Sequence, residues 1–160
     1  MIRAKAQIKG RGILEEKVLV LLHKAGWFKG RKVDISKYVA ALINEEYIVF
    51  KRAFDFLEEY GDLVIQFERS DSYVTFTINP IDAASSIFRE VSENYERYCG
   101  ESLVILGEIP TMEMTWYISS SGKFYGGYDD FLICLGDDFY RALYNIVSGA
   151  ELEVILVEEG

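Results

Sequence analysis

The chain has 160 residues, 50% of them apolar and 14% aromatic, with a formal net charge of -9. That is one domain's length with ample material for a core, which excludes disorder as the general state and removes any need for a disulfide or metal staple. Residues 1–34 carry nine Lys/Arg against three Asp/Glu and residues 35–160 carry eight against twenty-three, so the bulk of the chain repels nucleic acid and anionic lipid and attracts basic proteins.

Residues 1–12 hold two glycines and show no apolar period, which predicts a basic flexible arm. Leu14, Val18, Leu21, Leu22 and Ala25 then fall on one helical face that Gly26 ends. A second helix follows Asp34 with Ile35, Tyr38, Val39, Leu42 and Ile43, and a third carries Val49, Ala53, Phe56, Leu57 and Tyr60 up to Gly61. The period then drops to two. Leu63, Ile65 and Phe67 pair across a Ser70-Asp71-Ser72 turn with Val74, Phe76 and Ile78 as a hairpin. Asn79-Pro80 opens a further helix, read as continuous through Ala84, Ile87, Val91 and Tyr95 to Gly100.

The second half reads mostly as strand. Leu103 to Leu106 suits a central strand, and Met112, Met114, Trp116 and Ile118 alternate with Glu113, Thr115 and Tyr117 as a strand with one buried face. Lys123-Phe124-Tyr125 and Phe131 to Leu135 are further strands, and Phe139, Leu143, Ile146 and Val147 form a last helix closed by Gly149. The tail, residues 151–160, is either a strand or a fraying segment. Helices first, then antiparallel strands interrupted by helices, predict an α+β fold: a mostly antiparallel or mixed sheet packed against helices.

Catalytic signatures are missing from the sequence. His23 is the single histidine, lies beside the first helix's apolar stripe and has no triad or ligand partner at a useful spacing. Three or four N/S ligands are needed for zinc, and one His with the distant Cys99 and Cys134 does not supply them. The two cysteines are expected as free, reduced thiols. No GxSxG elbow or phosphate loop is present, and Lys9-Gly10-Arg11-Gly12 is a lone basic glycine pair.

Asp129-Asp130 and Asp137-Asp138, with Glu108 and Glu113, could gather as carboxylates around Mg²⁺ or Ca²⁺, but the EF-hand spacing is missing, and no metal or cofactor is expected. One of Asp137 and Asp138 is expected to cap the last helix. Gly126-Gly127 marks a turn or bulge inside an aromatic and acidic stretch, Phe124 to Phe131, which reads equally as a core hairpin or as a protein-binding edge. The basic N-terminus lacks the apolar core of a signal peptide, and no apolar run approaches the ~18–20 residues that span a bilayer, so the cytoplasm is the expected location.

Several stretches together resemble one family. Gly26-Trp27-Phe28-Lys29-Gly30-Arg31 follows the opening helix, and Phe56-Leu57-Glu58-Glu59-Tyr60-Gly61-Asp62-Leu63 closes the third. Ile78-Asn79-Pro80 precedes a helix, and Gly100, Leu103, Leu106, Gly107 and Glu108 follow it. Ile118-Ser119 with Gly122-Lys123-Phe124-Tyr125, and Ala142-Leu143 with Ile146 and Gly149, complete the series over about residues 14–150. In order and register these resemble the SUKH-3 family of bacterial immunity proteins. Asp62 stands where that family usually has a second glycine, and Leu106-Gly107 replaces a commoner Pro-x-Gly.

The resemblance implies a single SUKH-like α+β domain over 13–150, flanked by the arm and the tail. It implies a non-enzymatic antidote that binds a toxin domain in the cytoplasm, many such toxins being nucleases. A nuclease is basic where phosphates lie, so an acidic inhibitor can occupy that cleft as a phosphate stand-in. On charge and aromatic content, the partner-binding residues are expected to be Tyr125, Tyr128, Asp129, Asp130, Asp137 and Asp138, with Glu113 and Trp116 behind them. The alternative is a non-catalytic scaffold or regulatory module of the wider SUKH superfamily.

Overall fold

The computed structural model describes residues 2–158, with side chains over 12–158. Among the described residues the helices are α1 (Ile2–Lys24), α2 (Ser36–Asn44), α3 (Lys51–Tyr60), α4 (Pro80–Ser85), α5 (Arg89–Cys99) and α6 (Phe139–Ser148). The strands are β1 (Val64–Arg69), β2 (Ser72–Thr77), β3 (Leu103–Ile109), β4 (Met114–Ser119), β5 (Phe124–Tyr128), β6 (Phe131–Gly136) and β7 (Val154–Leu156). These strands form one antiparallel sheet whose spatial order is their order in sequence. The fold is therefore α+β, with helices covering an open antiparallel sheet. No helix among the described residues is long and apolar enough to cross a membrane.

Successive residues of a strand point to opposite faces, and Trp116 and Tyr117 mark the two cores. Trp116 is fully buried and stacks on Phe76 at 4.3 Å, with Phe124 and Phe139 of α6 beyond it. Phe56 and Tyr60 of α3 close that side against Phe139 at 4.9 and 4.6 Å. Tyr117 faces the other way and meets Tyr95 of α5 edge-on at 5.8 Å.

Three expectations change. The helix predicted from Leu14 reaches back to Ile2, so residues 2–12 are helical where a flexible arm was expected; Arg, Ala, Lys and Gln, which favour helix, outweigh the glycines there. Met1, and residues 159–160 of the expected tail, lie outside the described residues. The helix predicted from Asn79 to Gly100 is broken in two. The Asn79 carboxamide caps α4 as expected, accepting from the N–H groups of Ile81 and Asp82 at 3.0 and 3.1 Å. However, the Ser85 and Ser86 hydroxyls donate back to the Asp82 carbonyl, and Phe88 is extended at φ -72°, ψ 144° before α5 begins.

Strand β4 is buried on both faces, because α5 covers the Thr115–Tyr117 side that alternation assigned to solvent. The tail joins the sheet: β7 pairs with β6, and the Val157 side chain is buried with its N–H donating to the Asp130 carbonyl at 2.7 Å.

Gly26 and Gly30 both take left-handed backbone, at φ 104° and 86°, and fold the segment between them back onto the end of α3. Trp27 stacks on Tyr60 at 6.4 Å and its indole N–H donates to Glu59 Oε2 at 3.0 Å. The Arg31 guanidinium donates to the carbonyls of Glu59 and Gly61 at 2.6 and 2.8 Å, satisfying acceptors that the helix end leaves open. The two leading sequence stretches are thus one clamp. Asp62, at φ 70°, occupies a left-handed position that favours glycine, and its carboxylate accepts the Tyr38 hydroxyl in exchange.

Candidate functional site

Helix α5 presents its buried side through Val91 and Tyr95 and its outer side through Glu90, Asn94 and Arg97, spaced as i, i+4 and i+7. Tyr95 crosses the sheet over Gly127, where a Cβ would lie only 2.5 Å from its ring. Its hydroxyl donates to the Asp129 carbonyl at 2.7 Å. Asp129 sits at φ 46° in the β5–β6 turn, a left-handed position that aspartate tolerates better than most residues. The Asp130 carbonyl is taken by Val157, so the backbone of the turn is fixed from two sides while both carboxylates are exposed. Burial, then the charges of Asp129 and Asp130, push the Tyr95 phenol up to about 12.

Between α5, the end of β3, the start of β4 and this turn runs an open groove of about 870 Å³. Its walls carry five carboxylates (Glu90, Glu108, Glu113, Asp129, Asp130) and one guanidinium, Arg97, which donates to Asn94. The ion pairs among the described residues are Lys32–Glu58, Lys51–Asp55 and Arg89–Glu96, and none of them uses a groove carboxylate. A concave surface in which one sign of charge predominates concentrates its field and draws in cations. Glu113 projects from a left-handed residue, φ 50°, directly after the 3₁₀ turn Pro110–Met112. Among the described residues no three His, Cys, Asp or Glu side chains are arranged to hold a metal ion.

The groove unites three residues of the expected site, Glu113, Asp129 and Asp130. It adds Glu108, which the sequence offered only as a metal ligand, and Glu90, which was missed because the helix break that orients it was missed. The other expected residues lie elsewhere. Trp116 is fully buried and Tyr125 is 7% exposed, so both belong to the core and offer a partner almost no surface. Burial, followed by the nearby Cys99 and Cys134 sulfurs, pushes the Tyr125 phenol up to about 12.

Tyr128 is half-buried and stacked on Phe131 at 6.3 Å, outside the groove walls. Asp137 and Asp138 stand at the far end of β6 from Asp129 and Asp130, roughly 20 Å away at strand rise. Asp138 caps α6, accepting from the Arg141 N–H at 2.8 Å, as one member of that pair was expected to do. His23 is exposed and packs edge-on against Trp27 at 5.3 Å, on the clamp.

The family model described as SUKH-3 immunity protein matches residues 14–149. No curated protein and no solved structure matches the chain.

Proposed function

Because the chain belongs to the SUKH-3 immunity protein family, we propose that it neutralises a cognate toxin domain by occlusion, seating its acidic groove on a positively charged, nuclease-type cleft. It acts stoichiometrically and turns nothing over. The observation that carries this reading is the gathering of Glu90, Glu108, Glu113, Asp129 and Asp130 around one groove, free of ion pairs among the described residues. Such carboxylates supply the negative charge that a phosphate-binding cleft is built to receive, and they steer encounter before contact. The Asp129–Asp130 turn is already held by Tyr95 and Val157, so little ordering remains to oppose binding.

The test is growth rescue. Cells expressing a candidate toxin domain encoded beside this chain are protected when the chain is co-expressed, and the purified pair associates with a strong salt dependence. Asp129→Asn with Asp130→Asn lowers the association rate by about tenfold at low ionic strength and flattens that dependence. Rescue that survives with unchanged association kinetics places the interface off this groove. Failure to rescue from any neighbouring toxin domain overturns the reading.

A further inference from the structure

Exposed apolar side chains are ordinary singly, but Phe88 combines exposure with a local cost. It is 80% exposed, and it occupies the N-cap of α5, where it makes no side-chain cap hydrogen bond. Ser, Thr, Asp and Asn are strongly preferred there because their oxygens accept an otherwise open N–H. Phenylalanine gives up that bond and, standing in solvent, gains no burial in return. Departures from local preference without structural compensation mark functional positions.

The position is also rigid. Next to Phe88, Arg89 turns inward: its guanidinium stacks on Tyr47 at 4.2 Å, pairs with Glu96 at 2.8 Å and donates to the Ser92 hydroxyl at 2.9 Å. Tyr47 completes the tie through its hydroxyl, 3.0 Å from that of Ser92. Phe88 lines a second groove of about 520 Å³, which contains Glu45 and Glu46 of the turn after α2. That groove shares Ser86, Ile87 and Glu90 with the acidic groove already described. Its one guanidinium is Arg89, which is committed internally. Ile43 and Ile48, 61% and 69% exposed, flank the same α2 turn. An exposed aromatic, next in sequence to this tied arginine, therefore stands where two acidic grooves meet.

We propose that Phe88 is the apolar anchor of the interface, received by a pocket on a protein partner whose rim is lined with lysine and arginine. This rests on the reading of the acidic groove as the toxin-binding face and names its centre. The occupant follows from charge complementarity, since carboxylates border the anchor on both sides and repel anionic partners. An aromatic surrounded by a polar rim is the arrangement in which single side chains dominate binding.

The experiment uses the purified toxin domain from whose growth arrest the full chain rescues cells, with association and dissociation followed for three chains: wild type, Phe88→Ser, and the combined Asp129→Asn and Asp130→Asn variant. Phe88→Ser installs a favourable N-cap, so its melting temperature stays level or rises by a few degrees, about the shift one cap confers. At the same time its dissociation speeds up by about tenfold or more. Slowed association in the Asp variant together with unchanged dissociation in Phe88→Ser overturns the anchor and leaves the groove reading standing. Unchanged kinetics in both variants overturns both. A melting temperature that falls by several degrees in Phe88→Ser shows the residue to be structural and overturns the anchor. On this proposal the free wild-type chain is expected to sediment as a monomer; a dimer that Phe88→Ser dissolves assigns the residue to self-association instead, and the proposal fails.

Discussion

The Tyr95 hydroxyl lies 2.7 Å from the Asp129 carbonyl, and this contact fixes the acidic turn to the middle of helix α5. The ring reaches that point only because residue 127 is glycine, leaving the sheet surface open beneath it. One hydrogen bond and one missing methyl group thus set where Asp129 and Asp130 present their charge.

Tyr95→Phe keeps the ring and loses the bond. The unpartnered Asp129 carbonyl can still reach water at the turn, so the expected loss is about 0.5–1.5 kcal/mol, read as a lower midpoint in denaturant with an unchanged slope. Amide exchange in the β5–β6 turn speeds up while that of the β3–β4 ladder stays as it was.

Alkaline pH weakens the fold through the same phenol. Tyr95 and Tyr125 are both pushed up to about 12 in the folded chain from an ordinary 10.0. The unfolded chain therefore releases these protons first, and folded stability is intact below pH 10.0, then declines as pH rises toward about 12. Denaturant titrations through this window show the decline, and Tyr95→Phe makes it shallower.

Gly127→Ala places a methyl 2.5 Å from the Tyr95 ring and 3.0 Å from the Thr115 hydroxyl. Overpacking of this kind costs about 1–3 kcal/mol. Because the closest clash is with the Tyr95 ring, the penalty shrinks in a Tyr95→Ala background, and a double-mutant cycle returns a coupling between the two positions.

Arg31→Ala opens the clamp at the end of α3. Two charge-assisted bonds to the Glu59 and Gly61 carbonyls disappear together, and the expected destabilisation is about 1.5–3 kcal/mol by urea unfolding. Arg31→Lys recovers only part of it, since an ammonium does not reproduce the guanidinium fork that reaches both carbonyls.

The two acidic pairs separate by phenotype. Asp138→Ala removes the cap of α6 and lowers stability by about 1 kcal/mol, with toxin association unaltered. Asp129→Asn with Asp130→Asn leaves the unfolding midpoint close to wild type and alters association instead. A thermal melt and a binding trace on each variant separate the roles.

The sequence made legible whatever local periodicity controls. The α1, α2, α3 and α6 stripes, the hairpin turn at Ser70-Asp71 and the caps at Asn79 and Asp138 all follow from neighbouring residues. What escaped depends on contacts across the chain. The Thr115–Tyr117 side of β4 reads as a solvent face until α5 lies over it. Tyr125 reads as an edge aromatic until that same side is covered, and Trp116 resembles a recognition residue until Phe76 stacks on it.

The break at Ser86 was hidden because serine hydroxyls terminate or decorate a helix according to what they find to bond. The site was half legible for the same reason. Asp129-Asp130 announces itself as a charged turn, whereas Glu90, Glu108 and Glu113 come from three separate segments that only the folded sheet brings to one groove.

The sheet has one thin seam. Strands β2 and β3 are joined by a single ladder pair, Thr77 with Glu108, where Gly107 lets the two backbones approach so closely that a Cβ would lie 2.1 Å from the Thr77 carbonyl. All other neighbouring strands share three or more pairs, so this joint is the sheet's sparsest ladder. Glu108 belongs at once to the joint and to the acidic groove, and a partner that grips its side chain also sews the two halves of the sheet together.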